Sequence, residues 1–134
     1  MQGFMVVIRH QGKWTLQVDK VPYENDIHQY YRELKCEVFD IVQANVYTPY
    51  LTNDSQMLIV VDDNGKLLDK YPTLPVFHPE THEVCDLLVG DVGFVHRDEM
   101  IPSEIRGLTE QEADELIKQF TFWMMTRTKF KVTE

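Results

Sequence analysis

The stretch from Leu108 to Phe120 constrains this chain more than any other. Thr109 and Glu112 stand three residues apart ahead of an apolar repeat, the spacing of a capping box in which hydroxyl and carboxylate each satisfy an orphan backbone donor. Glu110 and Glu112 sit where the helix dipole favours anions, and Lys118 sits toward the end that favours cations. Ala113, Leu116, Ile117 and Phe120 form one apolar stripe, so this helix must lie on something. Trp123 and Met124 continue the stripe, and the helix either stops at Phe120 or runs on through them. Residues 121–134 stay open between helix, strand and ordered tail.

What the helix lies on is written upstream. Phe4–His10 is rich in β-branched residues and reads as a strand, Gln11-Gly12-Lys13 as a turn, and Trp14–Asp19 as the alternating second arm of a hairpin. Asn25 is placed to cap a helix with the stripe Ile27, Tyr30, Tyr31 and Leu34. Glu37–Val46 returns to strand character, and 45–56 reads as a polar loop. Met57–Val61 is a continuous apolar run suited to a central strand. Asp63-Asn64-Gly65-Lys66 predicts a hairpin turn of type I′, with Leu67 and Leu68 opening the return arm. Pro72, Pro75 and Pro79 make 70–80 extended and irregular. Thr81–Val89 is expected as a short helix ended by Gly90, Val92–His96 as a strand, and 97–107 as a second polar loop. This order predicts an α+β fold: one compact domain over 1–134, with a mostly antiparallel or mixed sheet covered by two to three helices.

Composition sets outer limits. The 134 residues carry 22 acids against 13 bases, a net charge of −9, which repels phosphate and argues against sequence-independent duplex binding. Cys36 and Cys85 are too few for a secreted disulfide framework and are expected as free, buried thiols in a reducing compartment. The apolar run Phe4–Ile8 has no charged lead and is too short for a signal peptide or a membrane span, so a cytoplasmic location is expected.

Catalytic signatures are thin. His78, His82, Cys85 and Asp86 form the densest set of metal-competent side chains, but Pro79 pushes His78 toward an extended conformation and away from any helical face shared with His82. Cys85 with His82 has the spacing of a nucleophile and its base, yet Glu83 and Asp86 make the local field unfavourable for a thiolate. The Asp62-Asp63-Asn64-Gly65 stretch fails as a calcium loop, because Val60 and Tyr71 fall where ligands would be needed. Walker, Rossmann and nucleophile-elbow patterns are absent. No cofactor and no metal is expected. Tyr47 and Tyr50 lie in a polar loop, where tyrosines suit recognition of a protein or a nucleobase, and Arg97 and Arg106 lie in the second loop. Arg32 and Lys35 are further bases near predicted element ends that could meet a phosphate.

Three pieces, VVDDNGKLL at 60–68, CDLLVGDVGFV at 85–95 and GLTEQEADELIKQF at 107–120, resemble a domain-of-unknown-function family of small proteins from bacteriophages, plasmids and integrative elements. The helix IHQYYREL at 27–34 leading into EVFDIVQ at 37–43 fits the same order, so the resemblance spans Val18 to Phe120. Departures are Lys35-Cys36 where the family has glycine, YPTLPVFH at 71–78 without the family's asparagine, and an apparent insertion at 45–56. The resemblance brings no catalytic residues with it. It implies an accessory protein of a mobile element that modulates host defence. Together with the absent catalytic constellation and the tyrosine-bearing loop, it leads to the expectation of a non-enzymatic binding protein that sequesters a host defence protein or a small nucleotide-like signal. The alternatives are a small metal- or Cys/His-dependent hydrolase and an acidic decoy that mimics nucleic acid. No membrane partner is expected, and homo-oligomerisation is left open.

Overall fold

A computed structural model describes residues 3–12, 15–65, 70–78 and 80–133, the side chains of 12 and 127–133 excepted. In chain order the elements are β1 (Phe4–Gly12), β2 (Thr15–Pro22), α1 (Ile27–Leu34), β3 (Phe39–Gln43), α2 (Ala44–Tyr47), β4 (Met57–Asp62), β5 (Pro72–Phe77), β6 (Val84–Val89), β7 (Val92–Arg97), β8 (Ile105–Arg106) and α3 (Glu110–Thr133). The fold is α+β and antiparallel. A six-stranded sheet runs β2-β1-β7-β4-β3 with β8 on β7, while β5 and β6 pair as a separate ribbon. Among the described residues no helix is long and apolar enough to cross a membrane.

The continuous apolar runs of β1, β4 and β7 follow from a sheet covered on both faces. Successive side chains alternate across a strand. Val6, Ile8, Ile59, Val92 and Phe94 therefore face one core with Ala113, Leu116 and Phe120 of α3 and Leu74, Val76 and Leu88 of the ribbon. Met5, Val7, Leu58, Val60 and Val95 face the other, with Tyr23 and with Tyr30 and Leu34 of α1. The same alternation puts His96 on the α3 side of β7.

The helix ends obey local chemistry. In α3, Glu112 N–H donates to Thr109 Oγ1 at 3.1 Å and Thr109 N–H to Glu112 Oε1 at 2.8 Å, the reciprocal box that the sequence predicts. The helix runs on through Trp123 and Met124 to Thr133. The cap of α1 is Asp26, whose carboxylate accepts from His28 N–H at 2.9 Å, and not Asn25, which takes φ 54° in the turn before it. Of the expected α1 stripe, Tyr30 and Leu34 are buried, but Ile27 is 56% exposed and Gln29 is buried instead. Gln29 earns that place with two hydrogen bonds, accepting from Glu24 N–H at 2.9 Å and donating to Pro22 O at 2.8 Å.

Other expectations need correcting. Thr81–Val89 is not a helix: β6 pairs antiparallel with β5, and the tight turn between them holds His82 at φ 59°. Prolines 72 and 75 survive in β5 because a two-stranded ribbon leaves each strand an outer side where a missing N–H costs nothing. Gly90 ends β6, at φ 80°, and turns the chain into β7. The strand expected to reach Val46 stops at Gln43, where α2 begins and Thr48 Oγ1 donates to Ala44 O at 2.9 Å. At 63–65 neither Asn64 nor Gly65 takes positive φ, so the turn is not type I′. It is held by Asp62, whose Oδ1 accepts from Asn64 N–H at 2.9 Å. Lys13, Trp14, Lys66, Leu67, Leu68 and Pro79, which figure in the expected turns and arms, lie outside the described residues.

The two positions of the α1 stripe separate burial from pattern. Leu34→Ala is expected to lower unfolding free energy by about 2–5 kcal/mol through lost contacts and a residual cavity. Ile27→Ala is expected to change it by less than about 0.5 kcal/mol, as a surface substitution. Urea denaturation of the two variants measures both.

Candidate functional site

A groove of about 520 Å³ lies between the β5–β6 ribbon and the second half of α3. Its walls are apolar: Pro72, Leu74 and Phe77 from β5, Val84 and Leu87 from β6, and Trp123 from α3. Tyr50 backs this wall, with its ring 4.9 Å from Trp123 and 5.4 Å from Phe77, centroid to centroid, and its hydroxyl donating to Pro75 O at 2.7 Å. The two threonines on the lining already have partners. Thr73 Oγ1 donates to Gly90 O, and Thr126 Oγ1 donates to Phe122 O at 3.1 Å. The groove thus offers aromatic and aliphatic surface with its threonine hydroxyls turned to the backbone. At 100° per residue around α3, Thr126, Phe122 and Met125 follow one another away from Trp123. Phe122 is 68% exposed and Met125 is 62% exposed, so apolar surface continues from the groove onto the outside of the helix.

A polar network occupies the other end of α3. Arg106 holds Glu112 bidentately, at 2.8 Å to Oε1 and 3.0 Å to Oε2, and also holds Glu99, at 2.8 Å from Nε to Oε2. Its guanidinium keeps the Glu99 carboxyl down at about 2. Burial works to raise the Glu112 carboxyl, but the Arg106 hydrogen bonds and the Thr109 N–H outweigh it and leave it lowered. In turn, the hydrogen bonds to Glu99 and Glu112 raise Arg106. Beneath them lies His96, 3% exposed, with Nδ1 2.7 Å from Arg97 O and Nε2 2.8 Å from Asp54 Oδ2 and 3.5 Å from Glu112 Oε2. Asp54, His96 and Glu112 each direct one metal-competent atom into a region where these atoms lie within 4.8 Å of one another.

The residues singled out in the sequence fall in different places. Tyr50 supports the groove, and Tyr47 is half-buried against the same core. Arg106 anchors the polar network. Arg97 lies beside it, donating from Nη1 to Pro102 O at 3.0 Å. Arg32 is paired with Glu24 and, at 3.4 Å, with Glu33, and the Lys35 carbonyl accepts from Lys70 Nζ at 2.9 Å. His78, His82, Cys85 and Asp86 do not converge. His78 Nδ1 accepts the Glu80 and Thr81 amides at 3.1 and 3.3 Å, the Cys85 thiol donates to Val76 O at 3.4 Å, and Asp86 Oδ1 accepts Leu87 N–H at 2.8 Å. Both cysteines are free. Cys36 is buried as expected and Cys85 is exposed, because it sits on the solvent side of a two-stranded ribbon.

Two features escape a sequence reading. Asp54, His96 and Glu112 come from a loop, a strand and a helix start, with no spacing that links them. The groove's signal is the surplus of Phe122 and Met125 beyond the stripe that Trp123 continues.

No family model, curated protein or solved structure matches this chain. The polar network carries its own test. Carboxyls lowered on folding stabilise the protein above their ordinary value of 4.5, and that stabilisation is lost as pH falls through their folded values, near 2 for Glu99. Arg106→Gln is therefore expected to lower Tm clearly at pH 7. The gap to wild type should shrink steadily between pH 4.5 and pH 2, as read by thermal denaturation across that range.

Proposed function

We propose that this protein is a non-enzymatic binding protein that captures a segment of a partner protein in the groove between the β5–β6 ribbon and α3. One observation carries the reading: a groove of about 520 Å³ walled by Phe77, Leu87 and Trp123, whose threonine hydroxyls are already bonded to the backbone. Such a surface recognises shape and apolar side chains and has little with which to recognise a phosphate or a base edge. A nucleotide-like ligand is correspondingly less supported, because Arg9, Arg32 and Arg106 are each held by acids of the protein itself.

The net charge of −9 and the exposed Glu80, Glu83 and Asp86 of the ribbon favour a partner whose apolar anchors are flanked by bases, an amphipathic basic segment laid into the groove. Within this reading, the resemblance to mobile-element proteins suggests an accessory protein that sequesters a host component.

The test is a titration with a fluorescent amphipathic peptide of alternating leucine and lysine pairs. Wild type is expected to bind it, and a peptide with serine in place of leucine is expected not to. Leu87→Asp should weaken binding at least about tenfold although it adds an attractive negative charge, since hot spots lie at desolvated apolar anchors. Equal binding by Leu87→Asp would place the peptide elsewhere and remove the groove reading. A panel of linear and cyclic nucleotides is expected to leave Tm unchanged.

A further inference from the structure

We propose that Asp54, His96 and Glu112 form a binding site for one divalent transition-metal ion, with zinc as the fitting ion. This site is separate from the groove and does not depend on it.

The case begins with the protons of His96. A carbonyl oxygen only accepts, so the 2.7 Å contact to Arg97 O requires Nδ1 to carry a hydrogen. That leaves Nε2 as the ring atom facing two carboxylate oxygens, Asp54 Oδ2 at 2.8 Å and Glu112 Oε2 at 3.5 Å. Three metal-competent atoms from a loop, a strand and a helix thus converge within 4.8 Å of one another, an arrangement that one cation can bridge. A histidine whose Nδ1–H is fixed by a backbone carbonyl is also the usual outer-shell arrangement for an imidazole that ligates through Nε2.

The donor spacing suits a metal. Zinc bonds of about 2.0–2.1 Å in tetrahedral geometry place ligand atoms roughly 3.3 Å apart, and the two Nε2 separations bracket that value. The remaining oxygens are already occupied and orient the ligands. Asp54 Oδ1 accepts Gln56 N–H at 2.9 Å, and Glu112 Oε1 accepts Thr109 N–H and Arg106 Nη1, both at 2.8 Å. Glu112 Oε2 takes one bond from Arg106 Nη2 at 3.0 Å and keeps a second lone pair for an ion.

Charge favours it too. Asp54, Glu99 and Glu112 bring three carboxylates together, two of them paired with Arg106, and a dication offsets the remaining negative charge. One nitrogen with two oxygens suits a borderline ion, where magnesium prefers oxygen alone. A cavity of about 250 Å³, lined by Asp54 and Glu112 together with Thr52 and Gln111, opens beside the ligands. It supplies a route for the ion and leaves a further coordination position for water or another small ligand.

Full-length protein treated with chelator, desalted and titrated with zinc chloride by calorimetry tests the site. One equivalent is expected to bind, cobalt is expected to produce visible d–d absorption at the same stoichiometry, and magnesium is expected to give no heat. Asp54→Asn sits in a loop, half-exposed, and should fold as wild type does, so a loss of zinc affinity of tenfold or more at unchanged Tm supports the site even if His96→Ala fails to fold. His82→Ala should bind zinc as wild type does. Absence of zinc binding would overturn the proposal. Unchanged affinity in Asp54→Asn, or loss in His82→Ala alone, would overturn it equally, by placing the ion at the ribbon. None of these outcomes bears on peptide binding by the groove.

Discussion

The burial of β7 between β1 and β4 is the constraint on which the rest of this molecule depends. Val92, Phe94 and Val95 reach full burial on two opposite faces, so the sheet needs a covering layer on each. On one face α1 suffices, packed so closely that a Cβ on Gly93 would meet the Met5 side chain and come within 3.3 Å of Leu34. On the other face α3 and the β5–β6 ribbon share the work. A cylinder and a twisted ribbon lying side by side on one sheet do not close against each other along their outer edges, and the groove is the space left between them. Phe77 and Trp123 line that space with rings, and Tyr50 packs behind both.

The polar network stands where β7 passes from core to rim. His96 continues the inward alternation of Val92 and Phe94, so it arrives under α3 as a buried imidazole among carboxylates. Arg106 comes from β8, which pairs with β7 at His96 and Arg97, and so is delivered to the same spot by strand register. Helix start, strand end and loop are thereby fastened together by charge where the apolar core thins out.

Much of this architecture was legible in the residues. The capping box, the runs in β1, β4 and β7 and the half-buried α1 all rest on local patterns of capping or periodicity, and local physics decides them. Failures arose where distant pairing overrode local preference. The prolines of 72–77 look like irregular chain until β6 provides a partner, and β6 looks like a short helix until β5 does. Asn25 and Asp26 are both competent caps, and only the path of the preceding turn chooses between them. What Tyr50 packs against is likewise set at a distance, since the ribbon and Trp123 that receive its ring lie far along the chain. Asp54, His96 and Glu112 were invisible for the same reason: 42 and then 16 positions separate them, and only the sheet register brings them together.

The ribbon's point of attachment has a further consequence. β4 and β7 are direct antiparallel neighbours, with Ile59 opposite Phe94 and Met57 opposite His96. Everything from Asp63 to Asp91 is therefore an excursion between two strands that already specify their own alignment. Provided an inserted segment still presents an apolar underside in place of Leu74, Val76 and Leu88, it can differ in length and outer surface without disturbing the sheet. The scaffold thus separates inheritance of the fold from diversification of what it binds: related chains can exchange one wall of the groove as a cassette and keep the rest.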